Sequence, residues 1–197
     1  MQFLHACIIN PIHKLNNVIF AKNNYIMKSI TLKTINNADE YIFHLSTNQL
    51  QEELDHFRDK QDSLATLCKT NSSKSRTPDR VNFIDRLQLA IFLCFDEYNV
   101  TLPPFTEQEI SNCDTWWRNK VVTFPAGMNA NEIFSKMGEA IGQKDLTDYI
   151  IHKFEKSADG SHLFKGIDCE EILTTSILFA ALYSRKIGKL PAPASNK

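Results

Sequence analysis

Residues 81–95 constrain this chain more than any other stretch. Val81, Phe83, Ile84 and Leu87 recur at helical spacing, and Leu89–Phe95 then runs apolar without a break. A helix that is apolar nearly all round cannot face water and belongs in the middle of a bundle. Ile177–Tyr183 is a second unbroken apolar run. Both fall far short of the ~20 residues needed to cross a bilayer. They are therefore read as two central helices, at 79–99 and 169–187, with no direct membrane insertion.

Other helices must cover those two. From Asn37 onward the apolar period is helical almost throughout. Ala38–Ser46 places Tyr41, Ile42 and Leu45 on one side. Over 48–68, Leu50, Leu54, Phe57, Gln61, Leu64 and Cys68 are spaced 4, 3, 4, 3, 4, opposite Glu52, Glu53, Asp55, Asp59, Lys60 and Asp62. This predicts a single helix with a narrow apolar seam. Thr77-Pro78 supplies a cap and a first-position proline for the first central helix. Leu102-Pro103-Pro104-Phe105 ends it, and Thr106-x-x-Glu109 is a capping box for a helix with Ile110, Cys113, Trp117 and Val121 inward. Asn129 caps the next, with Ile133, Phe134, Met137 and Ile141 inward; Leu146, Tyr149, Ile150 and Phe154 line another. Asp168-x-x-Glu171 has the form of a further capping box opening the last helix, which Gly188 closes.

The expected fold is mainly α, a single bundle of six or seven helices. One short extended segment is expected near 28–36, where Ile30, Leu32 and Ile35 alternate with Thr31 and Thr34. Residues 1–27 read as a poorly ordered extension, 28–189 as the helical domain with a mobile loop at 69–78, and 190–197 as a disordered tail. Residues 1–38 hold Lys14, Lys22, Lys28 and Lys33 and no acidic residue, and Met27 offers a second start. Asn10, Pro11, His13 and Lys14 interrupt any secretory signal, and the lack of arginine before Arg58 argues against a transit peptide. Five scattered cysteines (7, 68, 94, 113, 169) are an odd set. That pattern suits free thiols in a reducing compartment, and the expected location is cytoplasmic.

Chemistry-bearing patterns are sparse. No Cys-x-x-Cys, His-x-x-x-His or His-Glu-x-x-His occurs. Asp159-Gly160 imitates the centre of a calcium loop, but the register that puts Gly160 sixth puts Gly166 twelfth, where a bidentate carboxylate is required. Cys169 stands at a helix start, yet Asp168, Glu170 and Glu171 oppose a thiolate there. No Gly-x-Ser-x-Gly elbow or glycine-rich phosphate loop is present. The net charge of −1 gives no pull towards nucleic acid. The basic stretch Lys69, Lys74, Arg76 and Arg80 has no interleaved aromatic and includes Asp79, so it reads as a solvated loop. No catalytic residue, metal ligand or cofactor site is assigned.

Interaction surface is the remaining signal. Trp117 continues the inner stripe, which rotates Trp116 about 100° away, towards Glu109, Asn112 and Asn119. A tryptophan on such a face is either a binding hot spot or covered by another helix. The seam Leu50, Leu54, Phe57, Gln61 and Leu64 either packs internally or docks on a partner helix, with Gln61 setting register. Trp116 and these five residues are the candidate protein-binding positions.

The 48–68 seam, the apolar helices at Leu87–Phe95 and Ile177–Tyr183, and Trp116-Trp117 together resemble the small helical adaptor subunits of the bacterial type IVB secretion coupling complex, the LvgA-type adaptors. The resemblance spans most of residues 28–190. It implies a cytoplasmic adaptor that joins partner subunits at a coupling ATPase and helps present effector proteins for export. The chain itself is read as a non-enzymatic adaptor or chaperone-like subunit that holds a helix or peptide of a larger complex. The alternatives are an effector enzyme with Cys169 or Cys113 as nucleophile, and an immunity protein that neutralises a toxin.

Overall fold

The computed structural model describes residues 29–73, 77–96, 102–161 and 167–187. Among these residues there are eight helices and no strand: α1 (Leu32–Phe43), α2 (Thr47–Lys60), α3 (Asp62–Ser73), α4 (Pro78–Cys94), α5 (Glu107–Val121), α6 (Ala130–Ala140), α7 (Lys144–Ser161) and α8 (Ile167–Ile187). The chain is a mainly α-helical bundle, as its periodicity requires.

The two apolar helices are the centre. α4 packs against α1, α2, α3 and α8, and α8 packs against α3, α4, α5, α6 and α7. Ile84, Leu89, Ile91, Phe92 and Phe95 on the α4 side, and Ile177, Ala180, Ala181 and Tyr183 on α8, are fully or almost fully buried. Aromatic rings connect the layers. Phe57 of α2 meets Phe92 of α4 at 5.0 Å and Phe179 of α8 at 5.7 Å. Tyr183 stacks on Phe95 at 4.5 Å and takes Phe105 edge-on at 5.1 Å. Such pairs contribute about 0.5–1.5 kcal/mol each beyond the area they bury.

Local signals explain most boundaries. Thr106 and Glu109 form the expected capping box on α5; Asn129 with Glu132 does the same for α6, and Ser46 with Gln49 for α2. Each satisfies backbone N–H groups that the first helical turn leaves free. Thr77 and Pro78 open α4 as cap and first residue, although the threonine side chain makes no capping bond. Gly142, at φ 69°, turns the chain between α6 and α7, a backbone state open to glycine at little cost.

Four expectations are corrected. The segment 28–36 is not extended along its length: the Thr31 side chain accepts from the Thr34 N–H and starts α1 at Leu32. Leu32 then faces solvent, and Ile35, Ala38 and Ile42 turn inward at helical spacing. Residues 48–68 are two helices, broken at Gln61 (φ −142°, ψ 58°). The polar stretch expected as a loop from 69 is helical as far as Ser73, and α7 continues through Asp159-Gly160 to Ser161. Asp168 lies inside α8, which begins at Ile167, so it is not the cap. The extension 1–27, Lys74–Arg76, Gly188 and the tail 190–197 lie outside the described residues.

Candidate functional site

The five seam residues are inside the protein's own core. Leu50 and Leu54 are 7% exposed, Phe57 3%, Gln61 0% and Leu64 1%. Of the two readings, internal packing describes where these side chains are. The break at Gln61 has a cause. Phe105 belongs to the non-helical linker 102–106, and its N–H donates to the Gln61 side-chain oxygen at 3.0 Å. A buried N–H left without that acceptor would cost roughly 1–3 kcal/mol. Gln61 therefore ties the α2–α3 corner to the α4–α5 linker.

Trp116 is not free either. It is half-buried, and the Arg185 guanidinium of α8 lies over its ring at 4.0 Å. Arg185 also donates to the Cys113 thiol, one turn earlier on α5. Another helix thus covers Trp116, through a cation on its π face. Trp117 is buried against Phe134 of α6, with ring centroids 6.0 Å apart.

A groove lies between the N-terminal halves of α2 and α4. It has a volume of about 460 Å³ and is lined by Thr47, Leu50, Gln51, Leu54, Thr77, Pro78, Val81, Asn82 and Asp85. Leu50, Leu54, Pro78 and Val81 give it apolar walls. Asp85 is half-buried, and among the described residues its carboxylate accepts no hydrogen bond. Burial pushes the Asp85 carboxyl above its usual range, and Arg58 draws it part of the way back. Arg58 itself pairs with Asp55. The neighbouring Arg86 donates to the Ile42 carbonyl at 2.7 Å and to Asn82 at 3.1 Å, which fastens the end of α1 to α4.

A second polar cluster joins α1 to α7. The Tyr149 hydroxyl donates to Asp39 at 2.8 Å, and Lys153 pairs with the same carboxylate at 2.7 Å. Burial, with Asp39 beside it, raises the Tyr149 hydroxyl well above its ordinary range, so it stays a donor. All three groups are satisfied by one another, as in a structural clasp. A third contact sets Lys186 of α8 against the Pro104 carbonyl at 3.0 Å, the Glu109 carboxylate at 3.2 Å and the face of Phe105.

Thiol chemistry finds little support. Burial pushes Cys94 up to about 12 and Cys113 up to about 11, so both stay protonated and poorly nucleophilic near neutral pH. Cys7 and the side chains of Cys68 and Cys169 lie outside the described residues. Among the described residues no group of three or more His, Cys, Asp or Glu could hold a metal ion, and no helix is long and apolar enough to cross a membrane.

The groove was missed in the sequence, although a signal was there. Asp85 and Gln88 interrupt the otherwise apolar inner period of α4, and an acid at such a position marks either a partner or an opening. Comparison with family models, with curated proteins and with solved structures finds no match.

Proposed function

We propose that this chain is a non-enzymatic protein-binding subunit, an adaptor or chaperone-like module, that seats a helix or peptide of a partner in the groove between α2 and α4. The observation that carries this reading is the groove itself, with leucine, valine and proline walls around a carboxylate that has no hydrogen-bond partner among the described residues. Grooves of this form take amphipathic segments by burying their apolar side chains, with a polar contact fixing orientation. The Asp39–Tyr149–Lys153 and Glu109–Lys186 clusters are closed on themselves, and Cys94 and Cys113 are buried. In the finer version, which rests on the resemblance to type IVB coupling adaptors, the protein works in the cytoplasm, its partners are subunits beside a coupling ATPase, and it helps present effector proteins for export.

A photo-crosslinking residue placed at Gln51, on the groove rim, tests this in the native host. Placed at Asn119, exposed on α5, it is the control. A defined adduct formed in fixed ratio from position 51 and not from 119 is expected. Equal labelling from both positions, or none from 51, would remove the groove as a partner site.

A further inference from the structure

We infer that the α2–α4 groove is built for a cationic side chain: its occupant is a basic, amphipathic partner segment whose lysine or arginine pairs with Asp85 while a neighbouring apolar side chain lies against Pro78 and Val81. This rests on the protein-binding reading and names the chemistry of the partner.

Three observations point the same way. First, among the described residues that line the groove Asp85 is the only ionisable one; the others are apolar, hydroxyl or amide side chains. Second, two nearby cations among the described residues, Arg58 and Arg86, make their direct contacts elsewhere, although the Arg58 charge reaches Asp85 through space. Arg58 is held by Asp55, and Arg86 by the Ile42 carbonyl and Asn82. A half-buried carboxylate that accepts no hydrogen bond forgoes the strongest contacts open to it, which are charge-assisted bonds from guanidinium or ammonium. Third, the polarity continues inward along the same face of α4. Gln88 follows Asp85 by three residues and precedes Phe92 by four, and Phe92 packs against α2 through Phe57. Gln88 is 2% exposed, and its Nε2 has no partner among the described residues. One face of α4 thus presents an acceptor and, a turn deeper, an unused donor.

The chemistry excludes the simpler occupants. An acidic segment would set like charges together in a partly desolvated site. A purely apolar one would cover Asp85 without pairing it, and desolvation would then disfavour its charged form. A basic residue flanked by apolar ones satisfies both the walls and the carboxylate.

The full-length protein and its Asp85→Asn variant, each immobilised, would be panned against phage-displayed random dodecapeptides. The affinity of the best peptides would then be measured by fluorescence anisotropy at low and high salt. Asparagine keeps the side-chain shape, and matching thermal melts of the two proteins establish that the fold is intact. The expected result is a shared motif of Lys or Arg beside Leu, Ile or Phe on the wild type, binding at least tenfold weaker to Asp85→Asn, and weakening with salt for the wild type only. Enriched peptides that lack a basic residue, or that bind both proteins equally, overturn the cation assignment; if they are also displaced by Gln51→Trp, the protein-binding reading of the groove survives. No enrichment on either protein overturns both.

Discussion

Gly138 and Thr147 set the distance between α6 and α7, and Gly138→Ala tests that statement with two opposed effects. In a helix interior, alanine in place of glycine is worth up to about 1 kcal/mol of stability. Against it stands space. A Cβ built on Gly138 comes 2.7 Å from the Thr147 Cβ, 2.8 Å from its Oγ1 and 3.1 Å from its Cγ2. Rotation about χ1 would move the hydroxyl and methyl but cannot move the threonine Cβ. Relief therefore requires the two helix backbones to part by about 1 Å, to reach an ordinary carbon–carbon contact. Thr147 is fully buried in the first turn of α7, and its N–H is bonded to the Gln143 carbonyl at 3.0 Å, so it has little freedom to yield. Overpacking of this kind costs roughly 1–3 kcal/mol, occasionally more; the contact is with a Cβ that cannot rotate away, which puts this site in the upper half of that range, and the net expectation is a loss of about 1–2 kcal/mol. For a chain of this size that is a fall in Tm of roughly 2–8 °C, readable by urea and thermal melts followed by circular dichroism. The reciprocal pair Gly138→Ala with Thr147→Gly should be more stable than the sum of the single changes predicts. If Gly138→Ala alone is as stable as the wild type or more so, α7 slides freely on α6 and the close-packing argument is wrong.

Three further outcomes follow from the same geometry. Arg185→Ala should uncover Trp116, red-shifting the tryptophan emission and costing about 0.5–2 kcal/mol; an unchanged spectrum would mean the guanidinium does not shield the ring. Cys94 and Cys113, both held neutral by burial, should react with a thiol probe at pH 7.5 far more slowly in the native protein than in denaturant, and fast native labelling mapped to either by mass spectrometry would contradict their burial. Burial pushes the Glu109 carboxyl up, but the Thr106 backbone N–H, Lys186 and the Thr106 hydroxyl outweigh it and hold it below its usual range. Its contribution to stability is therefore complete above the unfolded value near 4.5 and is lost as pH falls through the folded one. Glu109→Gln should accordingly lower Tm at pH 7 and flatten its decline below pH 4.5, and identical pH profiles for the two proteins would refute the assignment.

The central pair α4 and α8 was legible because an unbroken apolar run too short to cross a bilayer is stable in the middle of a bundle. The capping boxes at Thr106 and Asn129 were legible because capping is local chemistry: donor and acceptor lie three residues apart in one segment. The break at Gln61 was not, because its cause is a backbone N–H forty-four positions away. Periodicity carried the seam straight through it, since Leu64 remains buried on the far side of the bend. For Trp116 the sequence left a binding hot spot and a covering helix both open, because Glu109, Asn112 and Asn119 make a polar surround on its own helix; Arg185 arrives from α8, and no spacing rule connects the two. The groove follows the same logic. Its residues come from two helices, and only Asp85, out of place in an apolar period, recorded it in the sequence.

Gln61 and Gln143 suggest why this bundle holds together where it is not helical. Gln143 accepts the Ile30 N–H at 2.8 Å across 113 residues, just as Gln61 accepts the Phe105 N–H. Both stand at helix–helix corners, both are buried, and each receives a backbone donor from a segment with no helical partner for it. An uncharged amide suits the task better than a carboxylate, because it offers an acceptor without the desolvation cost of a charge. For Gln61 the arrangement leaves the Nε2 unpartnered, as it is in Gln88. That cost is tolerable only if the corner it fixes matters, and the Gln61 corner ends α2, the helix that forms one wall of the groove. Gln61 thus marks where α2 stops and, through the Phe105 N–H, fastens that corner to the linker before α5.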